Sequence, residues 1–244
     1  MTQPITASVI VVSRNRAAAL VRCLKGLAQQ DHPQFEIIVV ADPDGVKATQ
    51  TIGLPIKTVA FDQANISAAR NAGLAIAAAP VVVFIDDDAV GEPTWLSRLT
   101  APFIDPQVIA ATGFVLGRNG FSFQWQACFV NALGQDQPVA ITKTTLLGGT
   151  AELAVKTQGT NCAFRKSSLL AIGGFDPAYR FFWMKPMSTC AWPILAQRLL
   201  CPMRWCITDS RPVTAAVQTA FRCRCLILLP APPFSSAVMR HMLI

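Results

Sequence analysis

Three consecutive aspartates, Asp86, Asp87 and Asp88, close the apolar run 81–85. Adjacent carboxylates repel one another, and a bound cation relieves that repulsion best. Hard dications such as Mg2+ or Mn2+ prefer oxygen ligands, and Mg2+ commonly takes one or two carboxylates plus phosphate oxygens. The triplet is therefore a candidate site for a divalent ion bridging protein and diphosphate. A solvated acidic loop or a helix N-cap accounts equally well for such a triplet taken alone. Two more polar clusters follow apolar runs in the same manner. Ser13-Arg14-Asn15-Arg16 follows residues 7–12, and Asp42-Pro43-Asp44-Gly45 follows residues 35–40. Arg14 and Arg16 read either as ligand contacts or as solvated charges, and Asp42 either as a ligand contact or as the cap of its turn.

The elements that must position these clusters are legible in outline. Residues 7–12 are continuously apolar and rich in β-branched side chains, the pattern of a buried parallel strand. Residues 17–29 have helical spacing, with Leu20, Leu24 and Leu27 on one side, and Asp31-His32-Pro33 ends them. Residues 35–40 predict a second strand, closed by the turn at 42–45. Residues 56–60 predict a third strand, 66–79 an Ala-rich helix stopped by Pro80, and 81–85 a fourth strand; Pro93-Thr94-Trp95-Leu96 opens another helix. Short units alternating in this way give an α/β fold, a mostly parallel sheet covered by helices. Ligands bind beyond the carboxyl ends of such strands, and all three polar clusters lie at such an end. Residues 110–160 are less regular. Strands are expected at 108–116 and 144–147, a turn at Gly148-Gly149, and a helix at 166–171 before a loop at 173–176.

Composition bounds the partners. The chain has 244 residues, 52% of them apolar and 14% charged, which supports a sizeable core and excludes wholesale disorder. No apolar run of about 18 residues occurs, so no membrane-spanning helix is expected. The first residues lack a basic segment followed by an apolar one, so no signal peptide is expected. The expected compartment is the cytoplasm, with peripheral contact at the inner face of the membrane left open. The net charge of +7 divides into +1 for residues 1–182 and +6 for residues 183–244. Since the motif-bearing part is nearly neutral, no nucleic-acid partner is expected. Cys23, Cys128 and Cys162 are spaced as buried thiols, and the five cysteines beyond residue 183 match no common zinc template.

The blocks ASVIVVSRNR (7–16), EIIVVAD (36–42), ARNAG (69–73) and FIDDD (84–88) resemble, in order, the conserved blocks of family 2 glycosyltransferases. GTNCAFR (159–165) and IGGFD (172–176) are similar to the acceptor-side blocks of that family. The likeness covers about residues 7–182. It implies a GT-A fold, with the donor site in residues 7–100 and the acceptor-side part in 101–182. It implies that Ser13, Arg14 and Asp42 hold the nucleotide and that Arg70 helps at the nucleotide end, an ion pair within the fold being the alternative for Arg70. Asp86 and Asp87 would then meet the nucleotide sugar, and Asp86 and Asp88 the divalent ion. Asn161 and Asp176 would face the acceptor, although Asn161 also reads as a plain turn residue. Trp95 and Trp125 read as core. The implied reaction moves a sugar from a nucleotide-diphospho-sugar to the hydroxyl of a carbohydrate or lipid-linked acceptor, with inversion, in cell-surface polysaccharide or glycolipid synthesis. A nucleotidyltransferase also gathers carboxylates at strand ends, but Ser13-Arg14-Asn15-Arg16 lacks the glycines its phosphate loop would need.

The likeness stops at Phe182. Family members place there a short acidic motif that supplies the general base, which takes the acceptor hydroxyl's proton. This chain reads FWMKPMSTCAW from Phe182, with no carboxylate until Asp209. Residues 183–244 hold none of the 14 glycines but 7 of the 17 prolines and 5 of the 6 methionines, a composition unlike that of the rest. The genetic code suggests a cause. Read from the third base of the Phe182 codon, the pairs Phe182-Trp183, Trp183-Met184 and Met184-Lys185 force leucine, aspartate and glutamate. Lys185-Pro186 then allows threonine or alanine, and Pro186-Met187 allows aspartate. The expected acidic motif thus lies in another frame. Residues 183–244 are accordingly expected to form an anomalous, poorly ordered tail, and a catalytically inactive, donor-binding remnant is the competing reading of the whole.

Overall fold

The computed structural model describes residues 5–117, 119–131, 133–150 and 153–179, together with the backbone of 204–208. Strand β1 (Ala7–Ser13) alternates its faces with a period of two. Val9 and Val11 pack with Leu20, Leu24 and Leu27 of helix α1 (Ala17–Leu27). Ile10 points the other way, against Ala69 and Leu74 of helix α3 (Ile66–Ile76). Strand β2 (Phe35–Ala41) lies parallel to β1, and strand β3 (Ile56–Ala60) parallel to β2. Strand β4 (Val81–Asp86) returns to the opposite side of β1, again parallel.

Local signals set the helices. Helix α2 (Pro43–Thr49) starts where a turn is expected from the sequence. The same residues serve both structures: Asp42 accepts the Gly45 N–H and Pro43 fixes the first helical φ. Asn65 caps α3 by accepting the Ala68 N–H. Helix α1 has no side-chain cap and is held by burial of its Leu20–Leu24–Leu27 stripe. Helix α3 lies close on the sheet because Gly73 faces Ile10 and Val40; a β-carbon there would stand 2.6 Å from Ile10 Cγ2.

Beyond the short helix α4 (Trp95–Thr100) the sheet turns mixed. Strands β5 (Val108–Gly113) and β12 (Asn161–Arg165) extend it, with β12 antiparallel between β4 and β5. The backbone of β13 (Arg204–Thr208) runs parallel to β5 and antiparallel to β10 (Thr145–Leu147). The order across the eight strands is β10-β13-β5-β12-β4-β1-β2-β3. Four neighbouring pairs are parallel and three antiparallel. The expected strand at 108–116 is broken after Gly113, and Val115–Leu116 (β6) instead pairs with β7 (Phe123–Trp125). Strands β8 (Ala127–Asn131), β9 (Asp136–Val139) and β11 (Leu153–Val155) form a separate small sheet. Helix α5 (Lys166–Ala171) follows β12 as expected. The expected change of character at Phe182 falls outside the described residues, apart from β13. No helix among the described residues is long and apolar enough to cross a membrane.

Candidate active site

The chain leaves β1 toward β2 on one side and rejoins the sheet as β4 on the other. The loops after β1 and β4 therefore flank the topological switch point, the crevice position where open α/β sheets bind ligands, and Ser13 and Arg16 bridge them there to Asp87 and Asp88. Ser13 ends one wall and Asp86 the other, with Val12 opposite Asp86 in register.

The pleat of β4 distributes the three aspartates. Asp86 emerges on the α3 side. Its carboxylate lies 3.4 Å from Arg70 Nη2 and accepts the hydroxyl of Thr160. Asp87 emerges on the α1 side and is buried, accepting the Ser13 hydroxyl at 2.7 Å. Burial raises the pKa of Asp87, while Ser13 and Arg16 pull it back. Asp88 stays partly exposed and takes Arg16 Nη2 at 2.6 Å, while Nη1 of the same guanidinium lies 3.0 Å from Asp87. The trio thus faces the crevice edge by three routes rather than as one fan. Cys23 lies behind it on α1, its thiol pushed to about 12 by burial and by the three aspartates.

Thr160 reaches Asp86 because β12 runs antiparallel to β4. Asn161, the first residue of β12, pairs with Ile85, so the loop before it arrives at the carboxyl end of β4. Thr160 and Arg16 complete the site; the spacing of Thr160 gives no local signal, since its place depends on a pairing 74 residues away.

Arg70 is 3% exposed. Its guanidinium donates to the Gly159 carbonyl at 3.0 Å and lies 5.3 and 5.5 Å from the ring centres of Phe84 and Phe175. It lies beneath Asp86 and the 159–160 loop and supports both, the ion pair within the fold that the sequence left open. Asp42 is likewise buried. One carboxylate oxygen caps α2 and the other accepts the Asn15 N–H at 3.2 Å. Asn15 takes a left-handed φ of 56°, the bend that brings this amide round. Asp42 thus ties the β1 and β2 loops together. Arg14 turns away from the trio, crosses the end of β2 and pairs with Asp62 at 2.8 Å.

The acceptor-side residues divide. Asn161 is buried, accepts the Trp95 indole N–H at 2.8 Å and donates to the Phe114 carbonyl at 2.9 Å. It cross-links β12 to α4 and to the chain after β5, and Trp95 is core as expected. Asp176 is exposed and accepts the Ala178 N–H at 2.8 Å in a turn. That turn is fastened to α3 by Asn71, whose side chain bonds both the N–H and the carbonyl of Phe175. Any base beyond Phe182 lies outside the described residues.

Two partly exposed carboxylates, Asp86 and Asp88, offer hard oxygen donors at the crevice edge. No group of three metal-binding side chains gathers among the described residues. This donor set suits Mg2+ or Mn2+ when a diphosphate and water complete the shell, which is how Mg2+ is usually held.

A mostly parallel sheet with carboxylates at its switch point and an antiparallel strand inserted beside them is the GT-A class of fold. Residues 8–172 match glycosyl transferase family 2, and the chain belongs to that family. An uncharacterized glycosyltransferase of Nostoc sp. is 28% identical over 185 residues, covering 72% of this chain and 56% of its own length. The chain thus spans little more than half of that relative. Among solved structures, a mannosyltransferase from Pyrobaculum calidifontis in complex with GDP-Man and Mn2+ superposes with a TM-score of 0.57 at 18% identity, over 88% of this chain and 59% of its own. GalNAc-T7 with UDP, GalNAc and Mn2+ gives a TM-score of 0.62 at 16% identity, over 85% and 43%.

Proposed function

We propose that the chain binds a nucleotide-diphospho-sugar in the β1/β4 crevice and serves an inverting transfer to a carbohydrate or lipid-linked acceptor hydroxyl, in cell-surface polysaccharide or glycolipid synthesis. The observation that carries the reading is the switch-point assembly: Ser13 locked to Asp87, with Asp86 held between Arg70 and Thr160. Ser13 and the Asp42-tied loop form the nucleotide wall, with Arg14 at its outer rim. Asp86 and Asp88 would hold the divalent ion, which supplies charge stabilisation for the departing diphosphate. Buried Asp87 fixes the end of β4, and Arg70 fixes Asp86. The relatives' complexes with GDP-Man, UDP and Mn2+ support a donor of this class.

A second reading rests on a specific observation. Between Asp176 and Asp209 the sequence contains no carboxylate, so that stretch supplies no carboxylate general base. The polypeptide then binds its donor and turns over poorly. Titration calorimetry with UDP and GDP, with and without Mn2+, followed by a transfer and hydrolysis assay, separates the two. Binding with transfer supports the first reading, and binding without transfer the second. Absence of binding to any nucleoside diphosphate overturns both.

A further inference from the structure

Resting on that donor-site reading, we infer that Arg16 is the internal counter-ion of the acidic trio, and that a divalent ion reaches Asp88 only as a nucleoside diphosphate draws Arg16 away.

Left-handed Asn15 turns the chain sharply after β1, so that Arg16, at the N-cap of α1, points back over the end of β4. Its fork spans two successive carboxylates, Nη1 to Asp87 at 3.0 Å and Nη2 to Asp88 at 2.6 Å. Hydrogen bonding to Asp88 and the field of Asp87 raise its pKa, so it is charged at every working pH. Arg70 meets the third carboxylate from below. The trio is therefore largely neutralised by two arginines before any cation arrives.

The two arginines are not equivalent. Arg70 is buried and cannot leave without exposing a carbonyl and two rings, whereas the Arg16 side chain is 48% exposed. When Arg16 departs, Asp87 keeps the Ser13 hydroxyl on Oδ2 and loses the guanidinium at Oδ1, whereas Asp88 loses the shorter of the two contacts. Asp88 is also the more exposed of the two carboxylates, at 41%. A guanidinium pairs bidentately with phosphate oxygens as readily as with carboxylates. A diphosphate entering the crevice thus offers Arg16 an alternative partner and leaves Asp88 to the ion. The two ligands become coupled through one side chain, and the coupling is reciprocal. Arg16 is a positioning residue in this scheme and touches no reacting atom.

The experiment measures free Mn2+ by electron paramagnetic resonance, without and with UDP or GDP, for the full chain and for Arg16→Met, Arg16→Lys and Arg22→Met. Arg22 lies on the same helix and carries the same charge, but among the described residues its guanidinium bonds only the Ala18 carbonyl of its own helix. For Arg16→Met, Mn2+ alone binds up to about fivefold tighter, the scale of losing one partly exposed ion pair. The nucleotide then enhances Mn2+ binding less than in the unaltered chain. Arg16→Lys, which cannot span both carboxylates, falls between, and Arg22→Met matches the unaltered chain. Thermal melts establish that each variant folds. Unchanged or weaker Mn2+ binding by Arg16→Met, or an equal effect from Arg22→Met, overturns the role of Arg16. Failure of every chain, the unaltered one included, to bind Mn2+ with nucleotide overturns the donor-site reading itself.

Discussion

Replacing Arg70 by methionine separates two roles for a residue at the heart of the site. If the guanidinium served only to meet the nucleotide, the unliganded fold would not notice its loss. The geometry says otherwise. Methionine keeps much of the apolar stem but removes the donor to Gly159 and the cation between Phe84 and Phe175. A hydrogen bond from a charged group contributes about 1.5–3 kcal/mol. A desolvated cation–π contact adds up to about 2 kcal/mol. The Asp86 pair contributes under about 1 kcal/mol, since Asp86 is one-third exposed and 3.4 Å away. Removing a buried charge returns part of its desolvation cost. The expected net loss is about 3 kcal/mol, or roughly 6–12 °C in melting temperature for a domain of this size. Arg70→Lys keeps the charge but loses the fork and loses about half as much. Urea or thermal unfolding without ligand reads this directly. A loss below about 1 kcal/mol together with collapsed nucleotide affinity would return Arg70 to the ligand and refute the supporting role.

Glu36 offers a pH test on the same sheet. Burial alone would raise its pKa, but hydrogen bonds from Lys57, Ser8 and the Ala78 N–H outweigh that and hold it at about 2 instead of 4.5. A depressed carboxylate stabilises the fold above its unfolded pKa, and that stability disappears as pH falls from about 4.5 toward 2. Glu36→Gln should therefore lose about 2 kcal/mol at neutral pH, discounting the half-exposed Lys57, and converge with the unaltered chain in urea melts near the acid end. Gly73→Ala should lose about 1–3 kcal/mol despite the better helix former, because its methyl meets Ile10 Cγ2 at 2.6 Å and Val40 Cγ2 at 3.1 Å; an unchanged urea midpoint would mean that α3 lifts freely. Restoring the alternative frame from Phe182 onward should convert donor binding into measurable sugar transfer, and a gene sequence whose shifted frame lacks the acidic motif would remove the basis for expecting it.

What the sequence discloses depends on how far apart the partners lie. Strands β1, β2 and β4 are legible because each is a continuous apolar run buried on both faces, a pattern written in neighbouring residues. The polar residues at their ends are legible for the same reason. Helix α2 hides because Asp42-Pro43-Asp44-Gly45 satisfies a turn as well as an N-cap, and only the following turn of chain decides between them. Strands β6, β7, β9 and β11 are only two to four residues long, and β7 and β9 carry Gln or Pro, so each is too short to show a period of two. The partners of Asn161 are hidden for a different reason, their distance along the chain. The family likeness sets it on the acceptor side, and its bonds to Trp95 of α4 and to the Phe114 carbonyl join residues 66 and 47 positions apart.

The acidic triplet shows how a motif becomes a site only through the geometry of its strand. Read as letters, three aspartates are equivalent. Set at the end of a pleated strand, successive side chains leave on opposite faces. Asp86 then belongs to α3 and to the loop before β12, and Asp87 belongs to β1 and α1. Asp88 lies past the strand's last residue, nearer to water. Their charges are consequently handled in three ways: by a buried cation, by a hydroxyl and one arm of Arg16 under burial, and by the other arm of Arg16 within reach of solvent. A ligand competes successfully only where the native partner is exposed, since displacing Arg70 or Ser13 would leave buried polar groups unmatched. Exchange with a diphosphate and its ion therefore concentrates at Asp88 and Arg16, while Asp86 contributes from a fixed position and Asp87 holds the strand end still.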